Sequence, residues 1–363
     1  MIRVLQLPGT ISRLDGRMAV IMNIYRNLDR SKIQFDFVAS IAGDQSYQQE
    51  IEQLGGKVYL LNGTPSFKEM YEYVKNILNN NHYEYMHYHA ISPWGCTLGL
   101  GHKYGLKVIT QSHATVYSEK FLKSIRNRLF SMNIIKDSDI LVAVSPEAGK
   151  TLFRRHSFEY IPTWIDKDKY QFSLEKRQNI RKQLKLSDND ILVGNVSRFA
   201  VQKNHQFLIK AFDQLVKQNS KYHLALVGDG PLKNEIENYV NEHNLKNNVY
   251  FAGVVTNVAD YYSAFDIFWL PSHFEGLPTV SLEALANGLP IVVSDKITRE
   301  INIGNVNFLP INKSAINQWL MITDQNAKKR NDQNTVNNEF DHSVFKKNKV
   351  MQQWQKLYGI CNK

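Results

Sequence analysis

Short apolar runs alternate with helical stretches from one end of this chain to the other, and this constrains its fold more than any other feature. Strand-like runs fall at residues 3–7, 35–40, 57–61, 85–89, 107–111 and 140–145, with helix-like stretches such as 17–28 and 67–78 between them. A second series follows at 191–197, 223–228, 249–252, 266–271 and 290–294. Strands that read as continuous Val/Ile/Leu runs between helices indicate parallel sheets covered on both faces. Between the series lies Tyr160-Ile161-Pro162-Thr163-Trp164-Ile165-Asp166, followed by a polar, charged stretch over 167–190, which reads as an interdomain hinge. At 363 residues the chain has room for two doubly wound domains. No short-period repeat of the solenoid kind is present.

Two carboxylates stand out in the second series, in Glu275-Gly276-Leu277-Pro278-Thr279-Val280-Ser281-Leu282-Glu283. The preceding run, 266–272, reads as a buried strand, and 281–288 reads as a helix ending at Gly288. The loop therefore sits at the carboxyl end of a strand, where open α/β sheets bind ligands. The amides of Gly276, Leu277, Thr279 and Val280 would point out of a helix N-terminus, which suits an anion. Carboxylates beside an anion site make sense when the ligand also carries hydroxyls, as a nucleotide-sugar does. Upstream, Ser197-Arg198-Phe199-Ala200-Val201-Gln202-Lys203 follows the first strand of the series. Arg198 can grip phosphate oxygens bidentately and Lys203 adds a compact charge.

The spacing of Glu275 and Glu283, with the strand–Pro-Ser-x-x-Glu-Gly-Leu-Pro punctuation around it, resembles the retaining glycosyltransferases of family 4, which have the GT-B fold. The resemblance covers essentially the whole chain. It implies two Rossmann-like domains facing across a cleft: an acceptor domain over 1–165, a nucleotide-sugar donor domain over 166–342, and a last helix within 343–363 crossing back onto the first domain. It further implies that Arg198 and Lys203 hold the diphosphate, that Glu283 takes the ribose hydroxyls, and that Glu275 faces the transferred hexose. Gly228 and Gly230, in Val227-Gly228-Asp229-Gly230-Pro231, would lie near the donor nucleotide, and the backbone near Val254 would meet the nucleobase. In the first domain, Gly16 of Asp15-Gly16-Arg17 stands where the family usually carries a glycine pair. Arg17 is either a phosphate or acceptor contact or a surface arginine. His113 ends a strand, where the family has a histidine beside the transferred sugar. His87 and His89 alternate on one strand and read as packed residues.

Composition sets the partners. Hydrophobic residues make up 43% and charged residues 21%, as in ordinary globular proteins, and the two cysteines are too far apart for a disulfide framework. No cluster of histidines and carboxylates has metal-ligand spacing, so transfer is expected to need neither metal nor cofactor. The chain begins without a signal-like apolar region, and no apolar run is long enough to span a bilayer. A net charge of +10 calls for an anionic partner or simple solubility, and no nucleic-acid-binding signature accompanies it. The stretch 118–130 sets Lys120, Lys123, Arg126 and Arg128 beside Phe121, Leu122, Ile125, Leu129 and Phe130. It reads either as an anionic-membrane contact or as a packed helix with a solvated basic face.

The sequence therefore predicts a cytoplasmic hexosyltransferase, docking peripherally on the inner face of the plasma membrane. Its donor would be a UDP-sugar and its acceptor a glycan or lipid-linked oligosaccharide of surface polysaccharide synthesis. The alternatives are a nucleotide-sugar epimerase on the same fold and a non-catalytic sugar-nucleotide-binding partner subunit.

Overall fold

This computed structural model describes residues 1–13, 15–40, 45–113, 115 and 133–360. Among them the chain divides into two compact units, Met1–Thr163 with Asn348–Lys363, and Trp164–Lys347. The first holds β1 (Ile2–Gly9), β2 (Ile33–Ala39), β3 (Val58–Leu60), β4 (Tyr85–Ala90), β5 (Lys107–Ser112), β6 (Ile140–Ala143) and β7 (Glu159–Tyr160). They form one parallel sheet in the order β3-β2-β1-β4-β5-β6-β7. The second holds β8 (Ile191–Val196), β9 (Tyr222–Val227), β10 (Val249–Gly253), β11 (Ile267–Leu270), β12 (Ile291–Ser294) and β13 (Val306–Leu309). These are also all parallel, in the order β10-β9-β8-β11-β12-β13.

Side-chain alternation shows why both faces of the second sheet must be covered. On β11, Ile267 and Trp269 enter one apolar cluster while Phe268 and Leu270 enter the other. On β12, Val292 joins the first cluster while Ile291 and Val293 join the second. Helices close each face, and each fully buried aliphatic or aromatic side chain contributes about 1.5–3 kcal/mol. Local signals agree with the helices. Ser66 and Glu69 form a reciprocal capping box on Phe67–Asn80.

One expectation changes. The charged stretch 167–190 is not a linker, because Leu174–Gln183 is a helix of the second unit. Arg177 and Arg181 on it reach the buried Asp266 carboxylate at 2.7 and 3.1 Å. Both arginines are thus held in ion pairs within the second unit. The last helix spans Lys347–Leu357, and Phe345 just before it packs with the second unit. Trp354 and Tyr358 are buried in the first unit, where Tyr358 meets Phe35 and Tyr85 edge-on at 5.6 and 5.5 Å. Strands β7 and β13 escape the sequence reading: β7 is two residues long, and β13 (Val-Asn-Phe-Leu) is a half-buried edge strand.

Candidate functional site

In each sheet the strand order reverses direction once, beside β1 and β4 in the first unit and beside β8 and β11 in the second. The carboxyl ends of strands at such a reversal open a crevice for ligands. The two sequence motifs of the second series lie there. Arg198 and Lys203 follow β8, and Glu275 through Val280 follow β11.

The loop after β8 is pinned from beneath. Asn195 Nδ2 donates to the Trp269 carbonyl at 2.8 Å, and the Ser197 hydroxyl donates to Asn195 Oδ1 at 2.7 Å while His205 Nε2 lies 3.1 Å from it. Phe199 stacks on the His205 ring at 4.3 Å. Burial, with the Lys203 charge adding to it, holds the His205 imidazole down at about 4, so it is neutral. Arg198 is exposed and makes no hydrogen bond or ion pair among the described residues. After a short turn over Val201–Lys203, Asn204 adopts a left-handed conformation and caps His205–Gln218 through its side chain.

Lys203 and Glu275 meet. Lys203 Nζ lies 2.5 Å from Glu275 Oε1, and Gln202 Nε2 donates to Glu275 Oε2 at 3.1 Å and to the Phe274 carbonyl at 2.9 Å. Glu275 is only 6% exposed. The two loops are thus stitched into one surface, further joined by His273 N donating to the Gln202 carbonyl at 2.8 Å. The sequence reading assigned Lys203 and Glu275 separate tasks; the structure pairs them, and Gln202 is a partner that it missed.

The helix after β11 runs Thr279–Ala286, two residues earlier than expected, with Pro278 at its cap and no side-chain capping bond. Among the described residues the amides of Gly276, Leu277, Thr279 and Val280 have no hydrogen-bond acceptor. Its end is as predicted: Gly288, at φ +80°, donates to the Leu285 carbonyl, and Leu289 donates to the Ala284 carbonyl. Glu283 sits one turn into this helix, partly exposed. The Tyr262 hydroxyl lies 2.9 Å from Glu283 Oε2 and 3.2 Å from the Val280 carbonyl. Desolvation raises the Glu283 pKa, opposed by hydrogen bonds from Tyr262 and Tyr170 and by the Lys169 charge. Neither tyrosine was singled out from sequence, since nothing in their spacing to Glu283 marks them.

Gly228 and Gly230 lie where β9 hands the chain to the next helix. A Cβ on Gly228 would come within 2.1 Å of the Ser197 carbonyl oxygen, and one on Gly230 within 2.5 Å of that of Phe199. Both glycines are therefore needed to let this turn pack against the loop that carries Arg198. Val254, just past β10, is 50% exposed.

The first unit has its own group. Asp15 caps the helix Gly16–Asn27 by accepting from Arg17 N, and Arg17 grips the same carboxylate at 3.1 Å through Nε and 2.7 Å through Nη2. Burial alone would push the Asp15 carboxyl up; Arg17 overrides this and holds it below its usual range. Arg17 is thus a paired residue. Open space surrounds Gly16, where a Cβ would meet nothing within 4 Å. The positive-φ glycine here is Gly9, at the end of β1. His113, at the end of β5, faces His89 at 2.9 Å, and His89 in turn faces Gln6 Oε1 at 2.8 Å. His87 and His89 are buried and stacked at 4.3 Å.

Lys120, Lys123, Arg126 and Arg128 lie outside the described residues. No helix among the described residues is long and apolar enough to cross a membrane. Nor do His, Cys, Asp and Glu side chains form a group of three or more able to hold a metal ion there.

Two parallel-sheet units, with charged loops gathered at their reversal points, define a protein of the GT-B architecture. Residues 18–169 match the family described as Glycosyltransferase Family 4, and residues 176–316 match Glycosyl transferases group 1. Over 314 residues the chain is 31% identical to the putative glycosyltransferase EpsF of Bacillus subtilis, covering 83% of this chain and 81% of that protein. It is 30% identical over 199 residues, 50% of each chain, to the UDP-Gal:alpha-D-GlcNAc-diphosphoundecaprenol alpha-1,3-galactosyltransferase of Escherichia coli. Anabaena HepE, crystallised in complex with UDP, has the same fold, with a TM-score of 0.80 over 99% of this chain and 100% of that one at 18% identity. The chain belongs to the family 4 glycosyltransferases.

Proposed function

We propose that this chain is a retaining, metal-independent hexosyltransferase that moves a sugar from a UDP-sugar to a lipid-linked oligosaccharide of surface polysaccharide synthesis. The observation that carries the reading is the Lys203–Glu275 pair, 2.5 Å apart, which joins the loops after β8 and β11 at the reversal point of the second sheet. The same loops carry an exposed Arg198 and four amides that have no acceptor among the described residues. Amides and cations suit a diphosphate; carboxylates suit hydroxyls. The donor and acceptor classes follow relatives: the E. coli enzyme is named for UDP-Gal and a diphosphoundecaprenol-linked sugar, and HepE was crystallised with UDP.

In this reading the bond from the sugar's anomeric carbon to the diphosphate breaks, and Arg198, Lys203 and the amides from Gly276 to Val280 take up the developing charge. The acceptor hydroxyl bonds to the same face of that carbon and its proton passes to the departing diphosphate. Glu283 holds the ribose diol, and Glu275, oriented by Gln202 and Lys203, positions the hexose. Gly228, Gly230 and Val254 shape the nucleotide end. In the first unit, which serves the acceptor, Gly16 is assigned to donor binding and His113 to catalysis, and Lys120, Lys123, Arg126 and Arg128 bring that unit to an anionic membrane.

The test is a panel of UDP-, GDP- and ADP-sugars, read by nucleotide release with and without an undecaprenyl-diphosphate-linked glycan. The anomeric configuration of the product is then read by NMR. UDP release that needs the acceptor, with the configuration kept, is the expected result. Isomerisation of the nucleotide-sugar without acceptor, seen by NMR of the donor, would mark an epimerase, donor binding without turnover a non-catalytic subunit, and an inverted product would end the retaining assignment.

A further inference from the structure

A continuous hydrogen-bonded chain runs through the first unit from the C-terminal helix to His113. Tyr358, just after Lys347–Leu357, lies 2.6 Å from His87 Nδ1 and accepts from Gln6 Nε2 at 3.4 Å. Gln6 Oε1 lies 2.8 Å from His89 Nε2, and His89 Nδ1 lies 2.9 Å from His113 Nε2. Gln6, His87 and His89 are each 1% exposed, as is Tyr358, so bulk solvent does not reach these side chains. Burial keeps both linked histidines neutral. It is the largest cause for His89, whose pKa falls well below the ordinary value, with the His87, His113 and Arg17 charges adding to it and Gln111 opposing. It is also the largest cause for His113, brought to about 3, with Arg17 adding and Asp15 opposing.

A neutral imidazole has one donor nitrogen and one acceptor nitrogen, so each link dictates the next. The Gln6 amide points its nitrogen at Tyr358 and its oxygen at His89. An amide oxygen only accepts, so His89 Nε2 carries the hydrogen and its Nδ1 is the acceptor. That acceptor takes the hydrogen on His113 Nε2. We infer that Gln6 and His89 are positioning residues that lock His113 in its Nε2–H tautomer and leave Nδ1 as a bare acceptor, suited to a sugar hydroxyl and unable to donate a proton. His113 has no other partner among the described residues. The Gln6 amide, with its nitrogen on the buried Tyr358 hydroxyl, thus sets the protonation pattern of a residue at the end of β5. This rests on the reading that His113 works in transfer.

The test reads the tautomer directly, by nitrogen-15 NMR of the full-length protein labelled at histidine, with His113 assigned through its loss in His113→Gln. The expected wild-type spectrum has a protonated Nε2 and an unprotonated Nδ1 at both His113 and His89. Protonated Nδ1 at His113 would overturn the inference, since the chain would then run the other way. In Gln6→Leu, both tautomers of His113 should become populated, and kcat should fall roughly tenfold, the loss of one ordinary hydrogen bond's worth of orientation, with the donor KM unchanged. A folded Gln6→Leu protein that keeps the wild-type tautomer would also overturn the lock. His113→Ala separates the two readings. If it transfers sugar normally, His113 has no role in transfer, whatever its tautomer.

Discussion

Lys203 and Glu275 are 72 residues apart in the chain, yet their charged ends lie 2.5 Å apart. Both are largely buried, at 17% and 7% side-chain exposure. Removing one partner of such a pair strands the other, which costs more than the pair itself contributes. Lys203→Met and Glu275→Gln should each destabilise the protein, Lys203→Met by about 3 kcal/mol because a buried carboxylate loses its counter-ion. The double variant should recover at least about 1 kcal/mol of the summed loss. Urea unfolding of the four proteins measures this; strict additivity would mean that the pair is not coupled.

Arg198 offers the opposite case. It is exposed and makes no hydrogen bond or ion pair among the described residues, so the fold does not depend on it. If it stabilises the leaving diphosphate, Arg198→Ala should lower kcat by about 100- to 1,000-fold, as for removal of one transition-state donor. The melting temperature should stay within a degree or so of wild type. Near-normal turnover in the folded variant would sink the assignment.

Glu283 and Glu275 should part company in calorimetry. Glu283→Ala should weaken UDP by about 10- to 100-fold, through loss of charge-assisted hydrogen bonds to a diol. Glu275→Ala should leave UDP affinity nearly intact and reduce transfer. Because Tyr262 lies 2.9 Å from the Glu283 carboxylate, Tyr262→Phe should weaken UDP by a smaller factor, roughly threefold to tenfold. Equal weakening by Glu275→Ala and Glu283→Ala would remove the division of roles.

What sequence revealed and what it hid follows from range. Strands β8, β11 and β12 are apolar because both their faces are buried, so each announces itself within a few residues. The end of the helix at Gly288 is likewise local chemistry. The partners of the site residues are not local. Gln202 on Glu275, Tyr262 on Glu283 and Gln6 behind His89 are separated by 73, 21 and 83 positions, and no spacing rule connects them. The stretch 167–190 misled for the same reason: its charges suggest a hinge until Asp266, 89 and 85 positions on from Arg177 and Arg181, is brought beneath them.

Buried neutral histidines make stability depend on pH. His87 and His113 are brought down to about 3, and His205 to about 4, in each case chiefly by desolvation. Between those values and the ordinary 6.5 the unfolded chain binds protons that the folded chain does not. Folding stability is therefore lost as pH falls through this window, by up to about 1.4 kcal/mol per pH unit for each histidine. Glu283 and Glu339, both raised chiefly by desolvation, act in the opposite sense but are outnumbered by the lowered histidines. Urea midpoints measured at pH 7.5, 6.0 and 5.0 should fall steadily, and His87→Phe should flatten the slope. A midpoint independent of pH across that range would contradict the buried neutral assignment.

The basic stretch carrying Lys120, Lys123, Arg126 and Arg128 sets these cations beside Phe121, Leu122, Ile125, Leu129 and Phe130. The proposed acceptor is lipid-linked, so the enzyme must work at a membrane surface, and a net charge of +10 favours an anionic one. Each cation near such a surface contributes about 1 kcal/mol, so replacing all four by Gln should remove several kcal/mol of attraction. Salt should mimic the substitution, since the attraction falls off within a Debye length of about 10 Å at 0.1 M. The measurement is co-sedimentation with liposomes containing phosphatidylglycerol, at low and high salt, for wild type and the four-site variant. Wild type should sediment at low salt and be released at high salt, while the variant should stay in solution at both. UDP binding should be equal in the two proteins, because Arg198, Lys203 and Glu283, proposed to hold the donor, lie in the other unit. Equal, salt-insensitive sedimentation would leave the stretch as a solvated helix face.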